Sequence, residues 1–456
     1  MSKRFDIVLL VLVLGSGCLV SCTDNISEQT GYSNVNIFSY NFLHEYYYWY
    51  QELPALEENP NLGNKNHIYS ENNNSFIYDT SDPFFQLSPQ DFIDAVRYQR
   101  LDRWSYIIDL PSYERYFVRG EDVSYGFSVA VDDDDFLRVL FAYDQSPVGK
   151  AGVGRGDKLL SINGVEIRPL LLARDYNRVN SLLASSSATM TFETLQGQVI
   201  NRSFVPGSFS INPLLAQRTF QVNGQKVGYL VYNSFLSTSK IGLDSAFVRF
   251  KSEGITDLVL DLRYNGGGDL SLAAHLASLI HAAPSDQQVF SKLQFNDKQQ
   301  ENNEVSYFEF LPDKSLGLSR LFVIATDNTA SASESLINGL KPFIDVKIIG
   351  TSTHGKPVGM IPHLVHDGQV NLNYVLVAVM FTGANAEGFY DYFDGLPADV
   401  TQPDDLTRNF GDSLELCLQQ ALFYVENGSF ASSAQRQLPV AYLLPEHPFR
   451  QLVGTW

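Results

Sequence analysis

Cysteine and positive charge are both scarce in this chain of 456 residues. Only three cysteines are present, and two of them, Cys18 and Cys22, lie near the apolar N-terminal segment. Cys417 therefore has no partner for an intrachain disulfide, and its place in an amphipathic series (414–425) predicts a core residue. Lysine and arginine number 32 against 51 aspartates and glutamates, which gives a formal charge of −19. So acidic a chain repels phosphate backbones, which argues against nucleic-acid binding.

Metal-binding motifs are also missing. The chain has eight histidines but no His-Glu-x-x-His, and the spacing of His363 and His366 puts them on opposite faces of a predicted strand. The run from Asp132 to Asp135 is predicted to cap a solvated hairpin tip, because too few further oxygen ligands lie nearby for calcium. We therefore expect neither a metal ion nor an organic cofactor.

No stretch of the chain is apolar for long enough to span a bilayer. The apolar residues 7–14, which follow Lys3 and Arg4, are too few for a transmembrane helix and are typical of a signal peptide. They lead to Leu19-Val-Ser-Cys22, which resembles a bacterial lipobox. Residues 1–22 are thus interpreted as a lipoprotein signal peptide with Cys22 as the lipidated residue. A plain secretory signal cleaved elsewhere is the alternative.

Lipidation of Cys22 would hold the protein at a membrane surface in the cell envelope, with the polar residues 23–35 as a tether. Thr23 is not the aspartate that resembles an inner-membrane retention signal, so the outer membrane is the expected location. Asp24 and Glu28 loosely resemble surface-export signals of Bacteroidetes lipoproteins, although short polar tethers are often acidic. The periplasmic face and the cell surface both remain open.

The most informative pair of residues is Ser331, in Thr-Ala-Ser-Ala-Ser-Glu, and Lys356, in His-Gly-Lys-Pro. The pattern predicts a buried strand at 321–325, a helix at 334–341 and a second strand at 346–349. Because the carboxyl ends of both strands of a right-handed unit lie at one sheet edge, the two side chains can meet there. A buried, neutral lysine can accept the proton of a serine hydroxyl. From these two residues alone, a helix cap beside an unrelated surface lysine remains the simpler interpretation.

A glycine run supplies what acyl transfer would need in addition. Asp261-Leu-Arg-Tyr-Asn-Gly-Gly-Gly-Asp269 follows a predicted strand at 258–260 and precedes a helical stretch at 270–280. Three glycines leave backbone N–H groups uncovered and allow a substrate carbonyl to approach closely. Such donors stabilise an oxyanion, and the helix that begins after Ser331 adds a favourable dipole. The serine turn, the lysine and the glycine run together predict an acyl-transfer site.

A competing motif overlaps the lysine. The segment from Gly350 to Lys356 has the spacing of a phosphate-binding loop, Gly-x-x-x-x-Gly-Lys. Such a loop needs serine or threonine after the lysine and a helix whose N-terminus faces the phosphates. Pro357 follows here, and the residues up to Pro362 do not continue as a helix. Nucleotide binding is therefore not expected.

The combined motifs resemble those of the C-terminal-processing (tail-specific) serine peptidases. The pattern of that family is Asp-Leu-Arg-x-Asn-x-Gly-Gly, then Ser-Ala-Ser-Glu, then Gly-Lys with the lysine 25 residues after the nucleophile. All three motifs occur here in that order, within a match over roughly 207–430. The resemblance implies Ser331 as nucleophile and Lys356 as general base.

The resemblance also implies an oxyanion hole formed by the N–H of Ala332 and that of Gly267 or Gly268. One departure concerns the lysine. Many family members carry a glutamine four residues after it, which helps to orient the amine, whereas this chain has Met360. Either another group orients Lys356, or the dyad works without one.

The remaining sequence suggests further domains. Residues 36–119 are rich in aromatics and predict a small helical N-terminal domain with a first helix over about 37–51 and a second over 89–104. Residues 207–430 would form the peptidase core, for which the resemblance implies an α/β fold with a ClpP/crotonase-like sheet. The tail, 431–456, has no periodic pattern and no assigned role.

Residues 120–206 resemble a PDZ domain, a small β-sandwich that binds an extended peptide by strand addition. Tyr125-Gly126-Phe127-Ser128 lies where its carboxylate-binding loop should be. Asn163-Gly164 predicts a two-residue hairpin. This region would therefore capture apolar peptide C-termini.

Together these observations predict a multidomain α+β protein that acts as a lipid-anchored serine endopeptidase of the cell envelope. Its substrates would be unstructured peptides or protein C-terminal tails held by the PDZ-like domain, and its lipid would contact the membrane. The alternative is a non-catalytic peptide- or ligand-binding lipoprotein that kept the fold and lost turnover. The methionine at position 360 keeps this alternative open.

Overall fold

The computed structural model describes residues 32–54, 68–70, 75–77, 83–282, 287–366 and 371–432. The signal segment with Cys22, most of the tether and nearly all of the tail lie outside the described residues, so the predictions made for them stay predictions. Within the described ranges, no helix combines the length and the apolar character needed to cross a membrane.

The N-terminal region combines helices with short strands. Its elements are α1 (Tyr32–Tyr46), β1 (Ile68–Ser70), β2 (Ser75–Ile77), α2 (Pro89–Val96), β3 (Tyr106–Asp109) and α3 (Leu110–Tyr113). The helix predicted over 37–51 is wrong in its bounds, because Tyr48 leaves the helix to donate its N–H to the Val379 carbonyl at 2.8 Å. The helix predicted over 89–104 is also wrong in its end, since α2 stops at Val96. In both places tertiary contacts override the local helical pattern.

The second region contains a six-stranded sheet in the order β10-β9-β7-β6-β5, with β8 beside β7, and a separate β4–β11 pair. The elements are β4 (Glu121–Ser124), β5 (Phe127–Val131), β6 (Leu137–Ala142), β7 (Lys158–Ile162), β8 (Val165–Glu166), α4 (Ile167–Leu172), α5 (Tyr176–Leu183), β9 (Ala188–Glu193), β10 (Val199–Phe204) and β11 (Gly207–Ser210). Asn163 and Gly164 join β7 to β8 with φ of 50° and 76°, which confirms the predicted hairpin. Strand β5 forms an open edge of the sheet.

The third region is built on a six-stranded sheet in the order β12-β13-β14-β17-β18-β21, parallel from β13 onward. The elements are β12 (Leu214–Val222), β13 (Gln225–Tyr232), α6 (Lys240–Glu253), β14 (Asp257–Asp261), α7 (Leu270–His281), β15 (Val289–Phe295), β16 (Glu304–Tyr307), β17 (Arg320–Ala325), α8 (Ala332–Leu340), β18 (Asp345–Gly350), β19 (Val358–His366), β20 (Asn371–Asn385), β21 (Val400–Thr401) and α9 (Leu416–Asn427). Helices α6, α7 and α8 cover one face, while α9 and side chains of the second region cover the other. Burial on both faces explains the continuous apolar runs of the central strands.

A second sheet of this region binds the N-terminal region to it. Its order is β16-β15-β20-β19, and β3 pairs antiparallel with β20 from Tyr106↔Val377 to Asp109↔Tyr374. The aromatic side chains of α1 and α2 share one apolar cluster with β19 and β20. The N-terminal region is therefore part of the same packed body as the third region.

A buried cluster of charges lies between the second and third regions. Arg155, which precedes β7, pairs with Asp404, and Arg263, after β14, pairs with Asp261, Asp404 and Glu415. All five side chains are at most 2% exposed. The cluster fixes the start of the glycine run against the segment that leads to α9. Cys417, on α9 itself, is buried and free, as predicted.

Candidate active site

Ser331 lies where the strand–helix–strand pattern placed it. Strands β17 and β18 pair in parallel, and Ser331 is the residue that precedes α8. Its φ of 57° and ψ of −115° are unusual for a residue with a side chain and cost about 1–3 kcal/mol. The carbonyl of Asn265 holds the turn, because it accepts the N–H of Ala330 at 3.1 Å and the Oγ–H of Ser333 at 2.9 Å. Strain of this kind is typical of a functional turn.

Glu334 connects the serine turn to the lysine loop. Its Oε2 accepts the N–H of Ser331 at 2.9 Å and the N–H of Lys356 at 2.8 Å. Its Oε1 accepts the N–H of Gly355 at 2.7 Å and the hydroxyl of Thr353 at 2.5 Å. Burial raises the pKa of this carboxyl, and the hydrogen bonds oppose that effect. Sequence reasoning had treated Glu334 only as the start of a helix, although it belongs to the Ser-Ala-Ser-Glu motif.

Lys356 is 3% exposed, and its burial lowers the pKa of the amine to about 8. The negative charges of Asp102 and Glu334 act in the opposite direction and raise it. Nζ lies 5.8 Å from the centre of the Trp104 ring. The site therefore keeps a substantial neutral fraction of the amine near pH 8.

Asp102 and Trp104 come from the loop between α2 and β3 and were missed by sequence reasoning. They lie about 250 residues before the lysine, and neither forms part of a recognisable motif. Met360, in β19, packs against the apolar cluster that contains Trp104. The N-terminal region thus forms one wall of the lysine pocket.

His354 was predicted to be an exposed loop residue, and that prediction is wrong. Its Nδ1 lies 3.1 Å from the carbonyl of Asp327, and its Nε2 lies 3.2 Å from Trp104 Nε1, whose N–H can only donate. Only the neutral tautomer with its proton on Nδ1 satisfies both contacts. Burial lowers the pKa of this histidine to about 4. Both ring nitrogens are thus engaged, which makes His354 a poor candidate for a general base.

Gly267 lies directly against the serine turn. Its φ is +101°, and a Cβ at this position would lie 2.7 Å from the Ser331 Cβ and 2.9 Å from the Ala332 nitrogen. Only glycine therefore fits here. Its N–H already donates to Asn265 Oδ1 at 2.9 Å.

Gly268 presents its backbone differently. The Gly267 carbonyl accepts the Phe235 N–H, and the Phe235 carbonyl accepts the Asp269 N–H, both at 2.9 Å. In such a parallel bridge the N–H of the intervening residue, Gly268, faces the other side. Gly268 is thus a better candidate oxyanion donor than Gly267.

The segment Tyr125-Gly126-Phe127-Ser128 lines a cavity of about 260 Å³ in the second region. Phe141 and Leu183, the last residue of α5, contribute to the same wall. The hydroxyl of Tyr125 donates to the Ser185 carbonyl at 2.6 Å, which ties the segment to the end of α5. The cavity therefore lies beside the open edge strand β5 and next to α5.

The two other motifs considered from the sequence have simpler explanations. After β18, the segment with phosphate-loop spacing leads into strand β19 and not into a helix. Asp132 accepts the N–H groups of Asp134 and Phe136 and pairs with Arg138, so it stabilises a hairpin tip. In the part of the chain that the structure describes, no group of three or more His, Cys, Asp or Glu could hold a metal ion.

Comparison with known families gives two matches in this chain. Residues 226–380 match peptidase family S41, and residues 34–106 match the peptidase S41 N-terminal domain. The first match includes the glycine run, Ser331 and Lys356, and the second includes Asp102 and Trp104. Both walls of the lysine pocket therefore lie in matched segments.

Individual relatives agree with this result. A carboxyl-terminal-processing protease from Picosynechococcus sp. is 28% identical over 255 residues, 54% of this chain and 56% of the relative. A protein of the same name from Synechocystis sp. is 26% identical over 251 residues, 54% of this chain and 55% of the relative. The chain thus spans about half the length of these curated relatives. A solved structure from Bacteroides fragilis, provisionally described as an S41 protease, has a TM-score of 0.65 and 26% identity, and covers 85% of this chain and 96% of its own.

Proposed function

Because this chain belongs to peptidase family S41, the family of the C-terminal-processing serine peptidases, we propose that it is a serine endopeptidase with a Ser331–Lys356 dyad. The observation that carries the proposal is the position of Glu334, whose single Oε2 accepts the backbone N–H groups of both residues. That oxygen places the strained serine turn beside a buried amine whose pKa is about 8. A hydroxyl nucleophile and a neutral base side by side are what acyl transfer requires.

The first half of the reaction forms an acyl-enzyme. The neutral amine of Lys356 takes the proton of the Ser331 hydroxyl as Oγ attacks the substrate carbonyl carbon. The N–H groups of Ala332 and Gly268 stabilise the resulting oxyanion, and the N-terminus of α8 adds its dipole. Collapse of the tetrahedral intermediate breaks the C–N bond, and the ammonium of Lys356 returns its proton to the leaving amine.

The second half of the reaction releases the acid product. Lys356 is neutral again and takes a proton from water, which attacks the ester carbonyl. The same two N–H groups stabilise the second oxyanion, and Ser331 Oγ leaves with the proton from Lys356. Gly267 supports this geometry without donating, because its own N–H is held by Asn265.

Substrate capture belongs to the second region in this proposal. An extended peptide can add to the open edge of β5, and the cavity lined by Tyr125-Gly126-Phe127-Ser128 can take an apolar C-terminal side chain. This is the PDZ-like mode expected from the sequence. Lipid anchoring through Cys22 in the outer membrane completes the proposal and would place the enzyme in the cell envelope.

The test is digestion of an unfolded protein together with labelling by a fluorophosphonate probe. We expect the wild type to be labelled at Ser331 and to degrade the substrate, and Ser331→Ala to do neither. Ser335→Ala, on the same helix, is the matched control and should keep both properties. Equal digestion by wild type and Ser331→Ala would refute the assignment. A protein that binds peptide but leaves Ser331 unlabelled would instead be a non-catalytic binding protein.

The pH dependence of the rate identifies the base. Only neutral Lys356 can accept the proton, so kcat should rise about tenfold per pH unit below pH 8 and level off above it. The measurement is kcat from pH 5.5 to 10, with the melting temperature followed over the same range. A histidine base at position 354 would give a rise near pH 4 and a flat profile from pH 6. A flat profile would therefore reverse the choice of base.

A further inference from the structure

Four charged or titratable side chains surround the Lys356 amine, and they come from three parts of the fold. Asp102 and Glu334 act on it as negative charges. His354 is held in its neutral form, and the Arg103 guanidinium lies 5.2 Å from the Trp104 ring centre. The electrostatic balance at Lys356 thus depends on the N-terminal loop as much as on α8 and the lysine loop.

The two carboxylates differ in what they already bind. Glu334 accepts four hydrogen bonds, three of them from backbone N–H groups, so its main task is to hold the serine turn and the lysine loop. Asp102 is 2% exposed, and its three donors are neutral: the N–H groups of Trp104 and Ser105, both at 2.9 Å, and the Tyr47 hydroxyl at 2.7 Å. A buried carboxylate is stable only near a compensating charge. The ammonium form of Lys356 supplies that charge.

The N-terminal loop is fixed to the lysine loop and to the second sheet. Trp104 donates its indole N–H to His354, two residues before Lys356. Ser105 Oγ accepts the N–H of Val379 at 2.9 Å, next to the pairing of β3 with β20. The position of the loop relative to the amine is therefore set by direct contacts.

We propose that Asp102 and Trp104 are positioning residues for Lys356, the aspartate as its counter-charge and the indole as the cover that keeps water from the amine. This inference rests on the proposed function, in which Lys356 is the base. It assigns to the N-terminal region a role in the reaction itself. The two residues act in opposite directions, since the carboxylate favours the ammonium form and the apolar cover favours the neutral form.

Opposite shifts of the lysine titration provide the test. Asp102→Asn keeps an acceptor for the two backbone N–H groups and removes the charge, so the Lys356 pKa and the limb of the kcat profile should both fall by about one pH unit. Trp104→Phe leaves a smaller cover and no N–H for His354, so both should rise. Asp94→Asn removes a charge from an exposed ion pair in the same region and should shift neither.

The titration is read in two independent ways. One is the kcat profile, and the other is the ¹³Cε resonance of Lys356 in lysine-labelled Ser331→Ala protein, assigned by its absence in Lys356→Met. If no Ser331-dependent cleavage is found at any pH, the proposed function fails, yet the resonance still decides the present inference. An Asp102→Asn titration equal to that of Asp94→Asn overturns the inference even in an active enzyme. If Asp102→Asn does not fold, the direction of the Trp104→Phe shift decides it.

Discussion

Replacing Lys356 with methionine is expected to abolish measurable cleavage while making the protein harder to unfold. The loss of activity follows from the loss of the base, and only assistance from the oxyanion donors should remain. The expected fall in kcat is on the order of 10³-fold or more. Methionine has nearly the same length as lysine and carries no charge, so the pocket should keep its packing.

The gain in stability follows from the lowered pKa of Lys356. The pKa is about 8 in the folded protein against an ordinary value of 10.5. Between these two values the unfolded chain binds more protons, so stability rises with pH across that window, and the full penalty applies below pH 8. For a fully buried group the penalty at pH 7 is about 3 kcal/mol. Lys356→Met should therefore gain up to about that amount at pH 7 and much less at pH 10.

Denaturant unfolding at pH 7 and at pH 10 measures this difference. Lys347→Met is the matched control, because Lys347 is paired with Asp345 and its pKa is raised. Its replacement should give no gain in the free energy of unfolding. A Lys356→Met protein that is less stable than the wild type at pH 7 would show that the ammonium is well compensated in its pocket.

The sequence was sufficient to predict the central unit of the fold. The strand at 321–325, the helix after Ser331 and the strand at 346–349 follow from local apolar patterns, and their parallel pairing follows from chirality. The glycine run could be placed against the serine turn for the same reason, since both follow neighbouring strands.

The surroundings of the lysine could not be predicted in this way. Asp102 and Trp104 reach Lys356 only because β3 pairs with β20, a contact between segments that are distant in sequence. The errors in α1 and α2 have the same origin, since the Tyr48 N–H and the Asp102 carboxylate are both engaged in contacts outside their helices. Local periodicity carries no information about such pairings.

The charge cluster behind the glycine run leads to the second prediction. Arg263 is 1% exposed and lies 2.8 Å from Asp261, 2.6 Å from Asp404 and 2.9 Å from Glu415. Burial alone would raise the pKa of Asp404, but the positive charges of Arg155 and Arg263 lower it to about 2. The Glu415 pKa is lowered in the same way, mainly by Arg263. The arginine therefore keeps three buried carboxylates ionised.

Arg263→Met is expected to lower the free energy of unfolding by about 3–5 kcal/mol at pH 7, because it leaves these carboxylates with only Arg155. The deficit should shrink as the pH falls from 7 to 5, since the carboxylates of the variant can then take up protons. In the wild type, the contribution of Asp404 is present above its ordinary pKa of 3.8 and is lost only as the pH falls toward about 2. The two proteins should thus differ least in mild acid.

The matched control for this prediction is Arg408→Met. Arg408 is 37% exposed and pairs with Asp405 and Asp412 near the surface, so its replacement should cost less than about 1 kcal/mol. Denaturant unfolding of both variants at pH 7 and pH 5 makes the comparison, and equal losses would mean that the buried cluster contributes no more than a surface pair. Arg263 also stands four residues before Gly267, so a destabilised cluster should misplace the oxyanion donors. We therefore expect Arg263→Met to lower kcat at temperatures where it is still folded, and Arg408→Met to leave kcat unchanged.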